Sequence, residues 1–349
     1  MAIISLPFLY SNFEPSETSY KGGEKEPTKD EPQIKPFDPS RLSWVLATSS
    51  AEWSPRDSGA SFVFQNKMWM MGGVSGNENI SSERIVKYWE SPHFNDIWSS
   101  EDGVTWKLEK EHAEWPDRRS MSVVYFQDKL WMFGGWSPIS GYASDVWQST
   151  DAINWTEVAV SSSFPIREGQ TADVFGGKIW ITGGVNYNER VTKNDVWWSD
   201  NGIDWHEATA SAPWSGRWDH ATAVFNDKIF LSGGMDLSGH MFKDVWSTSD
   251  GINWELVIAE APWKERQGHS MVVLHDKMWL VGILSDTEGG GVNDVWYTSE
   301  GSNWEKTLAN PQWLGREDHS VLVYKDKMFV FQGMNSSWKW TNDVWYSIN

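Results

Sequence analysis

The feature that most constrains this chain is a short phrase that returns six times. It reads Asn95-Asp96-Ile97-Trp98, Ser144-Asp145-Val146-Trp147, Asn194-Asp195-Val196-Trp197, Lys243-Asp244-Val245-Trp246, Asn293-Asp294-Val295-Trp296 and Asn342-Asp343-Val344-Trp345. Successive Asp positions lie 49, 50, 49, 50 and 49 residues apart. A period of that length marks a repeat architecture, in which one unit cannot bury its apolar face alone and stacks on its neighbours. In five copies a second Trp follows eight residues later, at Trp106, Trp155, Trp205, Trp254 and Trp304. Upstream of each phrase stand two strand-like runs around a two-residue turn, as in Ser122–Phe126, Gln127-Asp128 and Lys129–Phe133. The other second runs begin at Lys67, Lys178, Lys228, Lys277 and Lys327. Between the paired Trp comes another turn, Asp102-Gly103, Asn201-Gly202, Asp250-Gly251 and Glu300-Gly301, with Asp151-Ala152 the weakest copy. Such dipeptides supply the positive φ that tight hairpins need. Each repeat therefore reads as four short antiparallel strands.

Four-stranded units of this length, with Gly-Gly ending the second strand and Asp-Val-Trp opening the third, resemble the kelch repeat. The resemblance covers residues 43–349, with the Gly pair altered to Gly282-Ile283 in copy five and Gln332-Gly333 in copy six. It implies an all-β fold, a six-bladed β-propeller of four-stranded blades. The run Ser43–Ala47 followed by Trp53 matches the fourth strand around Trp304 and Trp313, while the last copy stops before its own fourth strand. Joining the two completes the sixth blade with an N-terminal outer strand and leaves no open edge. Residues 1–42 read as a separate flexible leader. The apolar run Ala2–Tyr10 is too short for a membrane span and resembles the end of an export signal; segment 11–42 is rich in Glu, Lys, Pro and Ser. An extracytoplasmic location is the expectation, with a cytoplasmic one left open.

Composition removes several functions. The formal charge of −19 disfavours nucleic-acid phosphates and anionic membrane surfaces. The absence of cysteine excludes thiolate metal sites, a cysteine nucleophile and the tyrosine–cysteine crosslink of copper radical oxidases such as galactose oxidase, which share the kelch fold. No metal, no cofactor and no transmembrane segment are expected, and the chain is expected to be a monomer.

Chemistry is expected on the connections between blades. Three positions after an aromatic residue every copy carries an arginine: Arg56, Arg118, Arg167, Arg217, Arg266 and Arg316. In kelch propellers this connection opens onto one face around the central channel, so the resemblance places the six Arg at the mouth. There they either clamp an anionic group bidentately or pair with nearby carboxylates and order the turns. Three residues further on stand His220, His269 and His319; they are either first-strand histidines bonded to an adjacent blade or, with His220 and His269 as ligand contacts, the feature that makes Arg217, Arg266 and Arg316 the preferred binding cluster. Loops between the second and third strands add Trp89, Trp136, Tyr142, Tyr187, His240 and Trp338 as candidate ligand contacts, while the periodic Trp are expected between blades.

These residues suggest a binding module for a saccharide or peptide, including an anionic one, on an Arg- and Trp-lined face. A second reading is an enzyme similar to the bacterial sialic-acid mutarotases, also six-bladed kelch propellers, with Glu168, Glu317 and His319 as candidate acid–base groups and Arg167 and Arg316 holding the carboxylate. A third is a structural surface scaffold. Fold alone does not choose among them.

Overall fold

The computed structural model describes residues 37–76, 88–159, 161–282, 293–335 and 337–349. The apolar run Ala2–Tyr10, most of the polar leader and Ile283 lie outside these. The compact unit begins at Phe37, ahead of the first strand. Phe37 packs against the rings of His275 and Trp279, and Leu42 is buried.

The described chain is all-β, six four-stranded antiparallel sheets arranged as a propeller. Blade one comprises Ala60–Phe64, Lys67–Met71, Ile97–Ser100 and Lys107–Lys110, and the next four follow the same order. In blade six, Ser320–Tyr324, Lys327–Phe331 and Val344–Ile348 are completed by Ser43–Thr48, which pairs antiparallel with Val344–Ile348 from Ser43 opposite Ile348. The first strands of successive blades touch one another all the way round, the sixth meeting the first, so they form the wall of the central channel.

No blade has a core of its own. The six main apolar clusters each join two adjacent blades: one, for example, sets Phe62, Trp69 and Met71 against Met121, Leu130 and Trp155. Another closes the ring with Phe329, Phe331 and Val344 against Met68, Met70 and Trp106. The second strands are buried on both faces, which explains continuous apolar runs such as Met68–Met71 where alternation would leave one face wet.

One contact recurs at the joints. The side chain three residues after each buried Arg packs onto the first glycine of the preceding blade's Gly pair: Met121 on Gly72, Gln170 on Gly134, His220 on Gly183, His269 on Gly233 and His319 on Gly282. A Cβ at any of these glycines would collide with that side chain. Between blades six and one the sizes are exchanged. The large residue is Gln332, at the glycine position with φ of 51°, and the small one is Gly59. Gln332 Nε2 donates to Gly59 O at 2.9 Å, and a Cβ on Gly59 would lie 2.8 Å from Gln332 Oε1. The altered pair in copy six is thus a reversed joint where the ring closes.

Candidate functional site

The connection from the fourth strand of one blade to the first of the next crosses the mouth in four consecutive positions with four different roles. The first is the Arg. All six are 0–1% exposed. Each pairs bidentately with the Asp of its own blade's Asp-Val-Trp phrase: Arg56 with Asp96, Arg118 with Asp145, Arg167 with Asp195, Arg217 with Asp244, Arg266 with Asp294 and Arg316 with Asp343. Both N···O distances fall between 2.5 and 3.0 Å in five blades and are 3.1 and 3.4 Å for Arg266. Each guanidinium also donates to the carbonyl of the residue ending the second strand's turn, as Arg217 does to Gly233 O at 2.9 Å. In five blades the phrase's Trp indole donates to the same Asp. Of the two roles the sequence left open for the Arg ring, anion clamp or pairing with carboxylates, the structure has the second: the ring is an internal lock. Its carboxylate partners are neither Asp57, Glu168, Asp219 or Glu317 nor the acids of a neighbouring blade.

The second position faces the mouth and varies: Asp57, Arg119, Glu168, Trp218, Gln267 and Glu317. Five of the six line an axial cavity of about 160 Å³. Arg119 donates from Nε to Glu168 Oε2 at 2.9 Å and from Nη2 to Oε1 at 3.2 Å, while its guanidinium lies 4.7 Å from the Tyr88 ring centre and 5.1 Å from that of Trp136. Burial works against its charge, and Glu168 outweighs burial, raising its pKa. Across the cavity Gln267 Nε2 donates to Glu317 Oε2 at 2.8 Å.

The third position forms a collar. Ser58, Ser120, Gly169, Asp219, Gly268 and Asp318 all take left-handed backbone, with φ between 51° and 64°. Their peptide groups link blade to blade: Ser120 N–H to Ser58 O, Ser58 to Asp318, Asp318 to Gly268, Gly268 to Asp219 and Asp219 to Gly169, at 2.8–3.1 Å. Loss of solvation, with the neighbouring carboxylates, raises Asp219 well above the usual range; loss of solvation pushes Asp318 up to about 6. Asp57 is raised in the same way by burial and by Asp318.

The fourth position lies beneath the collar. Here a second cavity of about 160 Å³ is lined by His220, His269 and His319 with Gln170 and Met121. Burial first, and then the locked Arg beside each, lowers His220 and His319 to about 3 and His269 well below its ordinary value. His319, a candidate acid–base group with Glu168 and Glu317, is thus parted from them by the collar. Among the described residues no set of three or more His, Asp or Glu side chains is placed to hold a metal ion.

Beside the axial cavity, and sharing Tyr88, Arg119, Glu168 and Tyr187 with it, a lateral cavity of about 430 Å³ opens between the loops of blades one to three. Its walls include Trp89, which is 62% exposed, with Trp136 and Tyr142. Tyr142 Oη accepts from the Tyr187 N–H at 2.9 Å, and burial pushes its hydroxyl up to about 12. Of the sequence candidates, Trp89, Trp136, Tyr142, Tyr187, Glu168 and Glu317 meet at this face. His240 meets Phe242 edge to face on an exposed loop, and Trp338 packs with Met334 and Trp340; neither lines the cavities. Arg119, Trp218, Gln267 and Asp318 were not site candidates from sequence, and Asp219 was considered only as a partner for the repeated Arg, although they stand one and two residues after it.

The sequence matches the KLHDC2/KLHL20/DRC7 Kelch-repeats domain over residues 89–282 and 169–347. Among solved structures it is similar to "Structure of YjhT", with 16% identity, a TM-score of 0.66, and coverage of 85% of this chain and 96% of that one; at such identity the likeness is one of fold. No curated protein matches the chain. Among the described residues no helix is long and apolar enough to cross a membrane. With matched segments that together run from residue 89 to 347, well over half of the sequence, the chain belongs to the kelch-repeat family.

Proposed function

We propose that this propeller is a binding module that takes a saccharide at the channel mouth. The observation that carries the reading is the junction of two cavities: an aromatic one of about 430 Å³ and a polar one of about 160 Å³, sharing the Arg119–Glu168 pair. Aromatic faces suit the apolar C–H face of a sugar ring, and carboxylates and amides suit its hydroxyls; a concave site with a few placed polar groups amid apolar walls is the usual form of a small-ligand site. The anionic preference expected from the Arg ring loses its support, because those arginines are locked on Asp and the mouth is dominated by carboxyls.

A specific observation supports the isomerase as a second reading. Asp318, pushed up to about 6, can exchange a proton near neutral pH at the edge of the axial cavity, as an acid–base group must.

Both readings are tested together. Oligosaccharides and short peptides are titrated while following tryptophan fluorescence, and NMR exchange spectroscopy on each bound sugar measures anomer interconversion. Saccharide binding weakened about fivefold by Trp89→Ala, corresponding to about 1 kcal/mol for one lost ring contact, supports the module. Accelerated anomer exchange supports the isomerase, and peptide binding with no saccharide binding overturns both.

A further inference from the structure

The groups at the axial cavity are unequal in hydrogen-bonding sense. Four carboxyls line it, those of Glu168, Asp219, Glu317 and Asp318, against one guanidinium. That guanidinium directs Nε and Nη2 into Glu168. Gln267 gives Nε2 to Glu317, while its Oε1, withdrawn from solvent, has no donor. Asp57 occupies the one place in the ring of second-position residues that does not line the cavity directly, and couples electrostatically to Asp318, Arg119 and Tyr88, which do. It is 0% exposed, and the side chains of Ser58 and Trp340 hydrogen-bond to its carboxyl, against the effect of burial. A buried acceptor without a donor, as Gln267 Oε1 is, costs free energy that a suitable ligand recovers. The rings of Trp218 and Tyr187, edge to face with centres 5.7 Å apart, complete the wall.

Resting on the saccharide reading above, we infer that the axial cavity takes the ammonium group of a free-amine sugar, with the sugar ring held toward the lateral aromatic wall. An ammonium brings three donors and no acceptor, the complement of what the cavity presents, and it is attracted to aromatic faces. An N-acetyl group brings one donor and one acceptor, and a carboxylate brings acceptors alone into a cluster of acids. The raised carboxyls follow the same logic: an entering cation favours their ionised form, so binding expels protons.

The test compares a tetrasaccharide of β-linked glucosamine with its fully N-acetylated counterpart by calorimetry at pH 6, in two buffers of different ionisation enthalpy. The expected result is binding of the free amine on the order of tenfold tighter, with net proton release, since one charge-assisted contact is gained. Asp219→Asn and Asp318→Asn, which keep side-chain shape, should each reduce the preference severalfold. Equal affinity for the two tetrasaccharides overturns the inference and leaves the saccharide reading standing. A preference undiminished in both variants also overturns it, because the amine then sits elsewhere. A lysine tetrapeptide that binds when neither sugar does overturns the inference and the saccharide reading together.

Discussion

Replacing Arg217 by Ala should damage stability and leave ligand affinity alone. The side chain is 0% exposed and meets Asp244 through two bonds of 2.6 and 2.9 Å, the carbonyls of Gly233 and Ser215 at 2.9 and 3.0 Å, and the Phe242 ring at 4.1 Å. Truncation leaves the Asp244 side chain, 17% exposed, with the Trp246 indole N–H as its remaining close donor. Breaking one side of a buried ion pair costs about 3–5 kcal/mol, because the surviving charge keeps its desolvation without its partner. For a domain of this size that is a fall in Tm on the order of 10 °C. The same substitution at the other five positions should cost a similar amount; at Arg266 the longer contacts are offset because Asp294 is only 6% exposed and lacks an indole donor to replace the guanidinium. The assay is differential scanning fluorimetry with chemical denaturation on six single variants, beside Trp89→Ala, whose exposed side chain should leave Tm unchanged and weaken binding. An Arg→Ala variant that loses affinity while keeping its Tm would refute the assignment of the ring to architecture.

The reversed joint predicts non-additivity. Gly59→His should cost about 1–3 kcal/mol by overpacking against Gln332, and adding Gln332→Gly should recover at least about 1 kcal/mol, so strict additivity in a double-mutant cycle would disprove the size exchange. Removing residues 1–36 should leave cooperative melting intact, whereas removing 1–48 takes away the outer strand of blade six and Trp44, whose ring lies 4.3 Å from that of Trp313; identical melting curves would contradict the shared blade. Asp318, with a folded pKa of about 6 above its unfolded value near 3.9, binds more proton in the folded state, so its contribution is present at low pH and is lost as pH rises from about 4 through about 6. Wild type should therefore lose Tm relative to Asp318→Asn across that range, and parallel curves would falsify the shift.

Repetition made the fold readable and concealed the site. The period, the two turns per repeat and the unpaired ends of the first and last copies are properties shared by all blades, so six copies reinforce one another. The Arg–Asp lock was visible in the same way, since six arginines and six phrase Asp occur one per repeat, but the partners stand 27–40 residues apart and only folding shows that they belong to one blade. Arg119 failed to register because it sits next to Arg118, outside the aligned column. A search for sameness passes over the second position, where Asp57, Arg119, Glu168, Trp218, Gln267 and Glu317 share no chemistry. A ligand is asymmetric, and a ring that recognises one must break its own symmetry there. The loop aromatics were legible for the same reason, as tryptophans and tyrosines outside the period.

The collar carries a consequence for the potential at the mouth. A helix lines its peptide dipoles up along one axis and presents bare N–H groups at its end. Here the peptide groups run head to tail around the channel, five of the six N–H groups closed on the preceding blade's carbonyl, so the dipoles lie mostly along a circle and largely cancel. The backbone therefore contributes almost no field along the channel and offers few amide donors to an anion. What an approaching ligand senses electrostatically is written almost wholly in side chains, six of them from one position per blade, set above the locks and interfaces that hold the ring together. Charge reversal at Arg119, Glu168 and Glu317, the charged members of that position that line the cavity, should be able to invert the selectivity of the face while the propeller beneath it stays the same.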